Sequence, residues 1–180
     1  MVIIAISGPP GSGKTTQAKL IAKYFNLDYF SAGAIFREVA KDRGLSLEEL
    51  SKIASRDPTI DLEIDRRSFE RAQKDNVVAD GHLVAWILHD VADYKIYLTA
   101  PLMIRAKRIA ARDGVSFEKA LRETITREYY EKQRYVYYYG IDVNDLSIFD
   151  LIINVEKLSI DEVFNIIKEF LEKNLKRHHK

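Results

Sequence analysis

The chain has 180 residues, of which 47% are hydrophobic and 31% charged, enough apolar sequence for the core of one globular unit. With 28 basic and 27 acidic residues, the net charge of +1 excludes a general electrostatic attraction to nucleic acid or to an anionic membrane. The absence of cysteine excludes disulfides and thiolate metal sites, and no apolar run approaches the length of a membrane span, so we expect a cytoplasmic protein.

Short apolar runs alternate with helical patterns along the chain. We predict strands at residues 2–6, 28–31, 77–80, 95–99 and 151–155. We predict helices at residues 14–24, 34–43, 47–54, 58–74, 102–111 and 117–138, and a last helix after Ser159 that frays in the basic tail at 176–180. This order predicts an α/β protein with a doubly wound five-stranded parallel sheet. Ligands bind beyond the carboxyl ends of the strands in such sheets, so the chemistry should gather after residues 6, 31, 80 and 99.

The first predicted strand runs into a glycine-rich loop. Residues 8–15 read GPPGSGKT and match the phosphate-loop pattern G-x-x-x-x-G-K-[ST]. Glycines let backbone N–H groups turn toward an anion, and the following helix adds its positive N-terminal end. An ordinary glycine-rich turn is the alternative, but the flanking strand and helix are the context that a phosphate loop requires. The predicted ATP-binding residues here are Ser7, Gly8, Pro9, Pro10, Gly11, Ser12, Gly13, Lys14, Thr15 and Thr16.

Two oxygen-bearing residues predict that Mg²⁺ accompanies the nucleotide. The Thr15 hydroxyl is a hard ligand at the start of the first helix. Asp80 ends the third predicted strand, where a carboxylate can hold a Mg²⁺-bound water. The alternative for Asp80 is a turn-forming residue before Gly81. We predict Thr15 and Asp80 as the metal-binding residues.

Several longer motifs carry a resemblance to a known family. They are GPPGSGKTT at residue 8, SAGAIFR at residue 31, AP-x-x-x-RA-x-RIA-x-R at residue 100 and RY-x-x-x-Y-GIDVNDLSIFDLIIN at residue 134. Over nearly the whole chain the sequence resembles the P-loop nucleoside monophosphate kinases, most closely the archaeal type of cytidylate kinase. The resemblance implies one kinase domain with a CORE (1–30, 61–112 and 134–180), an acceptor-binding insertion (31–60) and a LID (113–133). It also implies Mg²⁺-dependent transfer of the γ-phosphoryl group of ATP to CMP or dCMP.

The resemblance implies roles for residues outside the phosphate loop. Acceptor-binding residues would include Ser31, Gly33, Glu131 and Arg37, the last of them on the α-phosphate. Arg108 and Arg112 would bind ATP, and Arg127 and Arg134 would join Lys14 as catalytic residues that neutralise the transferring phosphoryl group. Arg127, Glu131 and Arg134 share one stripe of a helix, so a solvated salt-bridge ladder is the alternative for them. Solvated faces are likewise the alternative for the other arginines.

One position departs from the family pattern. Related kinases often have Gly-Arg after the third strand, whereas this chain has Gly81-His82. A neutral imidazole cannot replace a bidentate cation. Either a nearby basic residue such as Arg66 or Arg67 compensates, or acceptor affinity is lower and pH-sensitive. We therefore predict Arg66 and His82 as further acceptor-binding residues.

Two other functions remain open from the sequence. Within the enzymes, an adenylate or uridylate kinase is the alternative, although no adenine-reading glutamine follows the third strand. From another class, a nucleotide-dependent assembly factor with weak ATPase activity is possible, although it would need an interaction surface or tail. We expect a monomer whose partners are ATP and CMP or dCMP, with no nucleic acid and no membrane.

Overall fold

A computed structural model describes residues 1–74 and 76–175, which contain a five-stranded, all-parallel sheet. The strands are β1 (Ile3–Ser7), β2 (Asp28–Ser31), β3 (Val77–Gly81), β4 (Tyr94–Thr99) and β5 (Leu151–Asn154). Their order across the sheet is β2-β3-β1-β4-β5, which confirms the predicted doubly wound α/β fold. The predicted fraying of the tail at 176–180 lies outside the described residues.

Within residues 1–74 and 76–175, eight helices connect or flank these strands. They are α1 (Lys14–Phe25), α2 (Ala32–Asp42), α3 (Leu47–Ala54), α4 (Pro58–Ala72), α5 (Val84–Ile87), α6 (Leu102–Asp113), α7 (Phe117–Tyr139) and α8 (Ile160–Leu175). The predicted boundaries agree with these to within two residues. No sequence pattern predicted α5, because four residues are too few to display a helical period.

The core lies on both faces of the sheet. Successive side chains of a strand point to opposite faces, so Ile3 and Ala5 pack with α2, α3 and α4, whereas Ile4 and Ile6 pack with α1 and α8. All five residues of β1 are buried, which explains its continuous apolar run. The sheet therefore holds the carboxyl ends of its strands in fixed positions.

The strand register brings the polar strand ends together. Ser7 at the end of β1 lies opposite Gly81 on β3 and Tyr97 on β4, and Ser31 on β2 lies opposite Asp80. The residues that follow β1, β2 and β3 therefore share one edge, where the sequence predicts the chemistry.

Helices α6 and α7 cross this edge as a hairpin. Gly114 ends α6 with a positive φ of 66°, and the Ser116 side chain caps α7 by accepting from the backbone N–H of Lys119. Near its C-terminal end, α7 packs through Tyr135 against Leu83 and Val143. At 23 residues α7 is the longest helix, but within the described ranges no helix is both long and apolar enough to span a membrane.

Candidate active site

The phosphate loop packs tightly against the backbone of β4 and α6. This close packing requires glycine at two positions of the loop. A Cβ atom on Gly8 would lie 2.2 Å from the backbone oxygen of Leu98 at the end of β4, and one on Gly11 would lie 2.8 Å from the backbone oxygen of Arg105. Both glycines also have positive φ angles, 153° and 80°. The loop is therefore held between β4 and α6 in a conformation that other residues cannot adopt without displacing backbone.

The loop leaves hydrogen-bond donors free for an anion. Gly13 precedes α1 and supplies no side-chain cap, and the first turn of the helix has no acidic residue. The first N–H groups of a helix have no partner within it, and the helix dipole makes this end positive. The Ser12 hydroxyl is buried and has no hydrogen-bond partner within the described part of the chain. This arrangement is suited to binding phosphate oxygens.

Lys14 reaches back across the loop. Its Nζ donates to the backbone oxygen of Pro9 at 3.2 Å. Removal from bulk water lowers the pKa of Lys14 from 10.5 to about 8; the nearby Asp80 carboxylate opposes this shift and Arg127 adds to it. An incoming phosphate would supply the negative charge that this desolvated ammonium lacks.

Thr15 and Asp80, the predicted metal-binding residues, lie side by side. The Thr15 hydroxyl donates to Asp80 Oδ1 at 3.3 Å, and the Tyr29 hydroxyl donates to Asp80 Oδ2 at 2.7 Å. Burial raises the pKa of Asp80, whereas the hydrogen bond from Tyr29 and the charge of Lys14 lower it. Among the described residues, no group of three acidic or histidine side chains could enclose a metal ion. A threonine and one carboxylate beside a phosphate nest fit Mg²⁺, which usually keeps several waters and takes its other ligands from substrate phosphates.

Helix α6 places three arginines at increasing distance from the loop. Arg105 is buried, and it donates to the backbone oxygens of Ala100 at 2.9 Å and Pro10 at 3.1 Å and pairs with Glu128 of α7. Arg108 donates to the backbone oxygens of Gly11 at 3.5 Å and Val155 at 3.2 Å.

Arg112, at the end of α6, is 68% exposed and pairs with its neighbour Asp113. Of the two predicted ATP-binding arginines, Arg108 is thus the one that the structure brings to the phosphate loop.

Glu131 links α7 to the end of β3. Its Oε1 accepts from Arg127 Nε at 2.6 Å, and its Oε2 lies 2.9 Å from His82 Nδ1. Burial disfavours the charged form of Glu131, but the hydrogen bond from His82 and the charge of Arg127 outweigh it and lower the pKa from 4.5 to about 2. Three of the predicted site residues therefore form one connected, charged group beside Lys14.

The predicted acceptor-binding residues after β2 form a compact turn. The Ser31 hydroxyl caps α2 by accepting from the backbone N–H of Ala34 at 3.0 Å. An added Cβ on Gly33 would lie 3.8 Å from Arg37 Nη1, so the exposed guanidinium folds back over this glycine. Arg66, by contrast, is 64% exposed and pairs with Glu70 one turn along α4.

Arg134, the last predicted catalytic residue, faces α4. Its Nε lies 3.0 Å from Asp61 Oδ2, and its guanidinium lies 5.6 Å from the centroid of the Tyr135 ring. On the next turn of α4, Asp65 Oδ2 accepts from the Tyr139 hydroxyl at 2.5 Å. Arg134 thus lies in a second polar cluster, one helical turn beyond Glu131.

Residues 3–157 match the cytidylate kinase-like family. The chain belongs to this family. Among curated proteins it is 65% identical over 176 residues to a cytidylate kinase of Staphylothermus marinus, covering 98% of this chain and 99% of that protein. It is 57% identical over 180 residues to a cytidylate kinase of Desulfurococcus amylolyticus, covering 99% and 97% of the two chains.

Solved structures of more distant proteins share the fold. An uncharacterized protein from Eubacterium ventriosum superposes with a TM-score of 0.73 at 23% identity, over 96% of this chain and 99% of that chain. The shikimate kinase from Bacteroides thetaiotaomicron superposes with a TM-score of 0.66 at 16% identity, over 95% and 98% of the two chains. At these identities the likeness concerns the fold alone.

The sequence did not predict three residues at the site, Arg105, Tyr29 and Asp61, or their neighbour Asp65. Arg105 lies within the AP-x-x-x-RA motif, but the motif alone does not predict that this arginine is buried against the phosphate loop. Tyr29 orients Asp80 from a neighbouring strand, and Asp61 and Asp65 face α7 from α4. A signal for the last two exists: they lie four residues apart, so they share a helix face with the buried Ser68.

The pKa of Asp65 predicts a pH-dependent stability. Burial raises this pKa from 3.8 to about 6, although the Tyr139 hydroxyl opposes the rise. Between pH ~4 and ~6 the folded state keeps a proton that the unfolded state loses, so stability should fall as pH rises through this window. Asparagine cannot ionise. At pH 8, Asp65→Asn should therefore unfold with a free energy about 1–3 kcal/mol higher than wild type.

Denaturant unfolding of both proteins at pH 4, 6 and 8 measures this difference. The two free energies should converge near pH 4, where the wild-type carboxyl is protonated. A difference that stays constant across the series would show that ionisation of Asp65 is not its cause.

Proposed function

We propose that this protein transfers the γ-phosphoryl group of ATP to CMP or dCMP, giving ADP and CDP or dCDP, as a Mg²⁺-dependent monomer. The observation that carries the proposal is the convergence of the phosphate loop, Asp80 and the Arg127–Glu131–His82 group at one edge of the sheet. Family membership supports it, because relatives of nearly equal length are named cytidylate kinase.

Phosphoryl transfer requires little covalent participation from the protein. An oxygen of the acceptor phosphate attacks the γ-phosphorus, the bond to the bridging oxygen breaks, and ADP leaves with that electron pair. The acceptor oxygen is already ionised, so no general base is needed. Rate then comes from holding the two nucleotides in line and from positive charge around the transferring group.

The donor side is the phosphate loop. Residues 7–16 bind the ATP phosphates through backbone N–H groups, and Lys14 neutralises the β- and γ-phosphates. Arg108 and Arg112 approach the nucleotide from α6. Thr15 and Asp80 would hold Mg²⁺, which would supply positive charge to offset that of the ATP phosphates. Tyr29 keeps the Asp80 carboxylate oriented toward Thr15.

The acceptor side lies between α2, the end of β3 and α7. Ser31, Gly33 and Arg37 bind the acceptor nucleotide from α2, with Arg37 on its phosphate. His82 and Glu131 bind from the other side, and Arg66 assists from α4.

Helix α7 contributes positively charged side chains to the proposed active site. Arg127 joins Lys14 in neutralising the transferring phosphoryl group, whereas Arg134 faces Asp61 of α4 and acts on the acceptor side. Residues 113–133 act as a LID, residues 31–60 as the acceptor-binding insertion, and the remainder as the CORE. Closure of the LID excludes water, which would otherwise hydrolyse ATP.

A turnover assay with a panel of acceptors tests the function. With saturating ATP and Mg²⁺, ADP release should be fastest with CMP or dCMP among CMP, dCMP, UMP, AMP and GMP. AMP or UMP as the best acceptor would point to an adenylate or uridylate kinase. ATP hydrolysis at the same slow rate with every acceptor would point to an assembly factor.

A further inference from the structure

The ion pair between α4 and α7 is buried but incompletely hydrogen-bonded. The side chains of Asp61 and Arg134 are 13% and 22% exposed. Asp61 Oδ2 and Arg134 Nε lie 3.0 Å apart, yet neither atom has a hydrogen-bond partner of good geometry among the described residues. Leaving such groups unsatisfied costs stability, so their arrangement needs an explanation.

This pair lies just beyond the phosphate-binding end of the site. Arg134 is three residues after Glu131 on α7, or about 4.5 Å along the helix axis. The Tyr135 ring contacts His82 edge-on, with centroids 5.5 Å apart, and lies beside the Arg134 guanidinium. Asp61 is in the first turn of α4, which packs against the helix that carries Arg37. Asp61 therefore lies between α2 and α7, the two helices that flank the proposed acceptor site.

The charge of Asp61 restricts what it can contact. A carboxylate repels phosphate, so the part of the acceptor beside Asp61 must be the base or the sugar. Cytosine and uracil differ at position 4, where cytosine has an amino donor and uracil a carbonyl acceptor. A carboxylate accepts from the cytosine amino group, whereas opposite uracil two acceptors would face each other.

We propose that Asp61 determines the acceptor base, by accepting a hydrogen bond from the 4-amino group of cytosine, and that Arg134 holds the carboxylate in position. The inference rests on the proposed function and adds the residue that selects cytosine. In this arrangement the buried Oδ2 faces the guanidinium, which stabilises the charge of Asp61, and Oδ1 is the oxygen that accepts from the base.

Asp61→Asn tests the proposal through substrate preference. At saturating ATP, kcat/KM for CMP should fall by roughly ten- to a hundredfold, the usual discrimination of one good polar base contact. The value for UMP should stay constant or rise. Arg134 can only donate, so it should hold the asparagine oxygen and turn the amide nitrogen toward the base, where this donor suits the uracil carbonyl but opposes the cytosine amino group. The KM for ATP should stay constant. Equal losses for CMP and UMP, or an unchanged ratio between them, would overturn the proposal.

Asp65→Asn is the matched control, one turn along the same face of α4. Its amide oxygen can still accept from Tyr139, so the ratio of kcat/KM for CMP to that for UMP should equal that of wild type. Because dCMP lacks only the 2′-hydroxyl group of CMP, comparing the two substrates distinguishes a contact to the sugar from a contact to the base. If Asp61→Asn instead changed the ratio of CMP to dCMP, Asp61 would contact the ribose and the proposal would be wrong.

A second measurement avoids any folding defect of the variant. The monophosphate of 2-pyrimidinone riboside has the shape of CMP without the 4-amino group. Wild-type kcat/KM for this analogue should be at least about tenfold below that for CMP. An equal value would overturn the proposal. No turnover of CMP by the wild type would instead overturn the proposed function, which is a separate outcome.

Discussion

Lys14→Ala should lower kcat for phosphoryl transfer by about 10²-fold or more while the protein stays folded. The side chain is held over the phosphate loop by the backbone oxygen of Pro9 and contributes charge rather than packing. Its desolvation makes that charge effective, because the ammonium lies where water screens it least. Initial rates at saturating ATP and CMP measure the loss.

Lys23→Ala is the matched control for this variant. Lys23 lies on the same helix, in its exposed last turn, so its removal should leave kcat unchanged. Thermal unfolding of both variants should match wild type to within a few degrees. Turnover of Lys14→Ala near the wild-type rate would contradict the assignment of residues 8–15 as the ATP phosphate site.

Gly8→Ala should abolish measurable ATP binding. The added methyl group would lie 2.2 Å from the Leu98 backbone oxygen and 2.8 Å from the Ser12 hydroxyl, so the loop must move away from β4. Overpacking of this kind costs roughly 1–3 kcal/mol of stability, and the displaced N–H groups no longer converge on a phosphate. Calorimetric titration with ATP and Mg²⁺, beside thermal unfolding, measures both effects.

Gly140→Ala separates the clash from the backbone strain. Gly140 also has a positive φ, 65°, but apart from its two chain neighbours no described residue has an atom within 4 Å of its added Cβ. This variant should lose roughly 1–2 kcal/mol of stability from the left-handed conformation alone and bind ATP normally. Equal ATP affinity in Gly8→Ala and Gly140→Ala would show that the close approach to Leu98 is unimportant for binding.

The fold and the phosphate loop could be predicted because their signals are local. A buried run such as residues 3–7, a glycine pattern and a helix start are each read from adjacent residues. The hydrogen-bond partner of the Ser7 hydroxyl could not be predicted from adjacent residues. This hydroxyl accepts from the backbone N–H of Ala85 at 3.0 Å, in a short helix that the sequence did not reveal.

The unpredicted contacts of the site join distant parts of the chain. Tyr29 meets Asp80 only because β2 pairs with β3 in register, and Arg105 meets Pro10 only because α6 crosses the loop. The same limit applies to Asp61, whose partner lies on α7. Strand register and helix packing determine such contacts, and neither can be recognised from the sequence immediately around each residue.

The carboxylate of Glu131 gives the cleft a counter-ion of its own. Because it already neutralises Arg127 and contacts His82, an entering phosphate exchanges one anion for another instead of meeting bare positive charge. A free phosphate ion gains little from such an exchange, since it must displace a carboxylate that is well hydrogen-bonded. A nucleotide brings further contacts through its base and sugar, so the cleft discriminates between whole substrates and the simple anions that surround it.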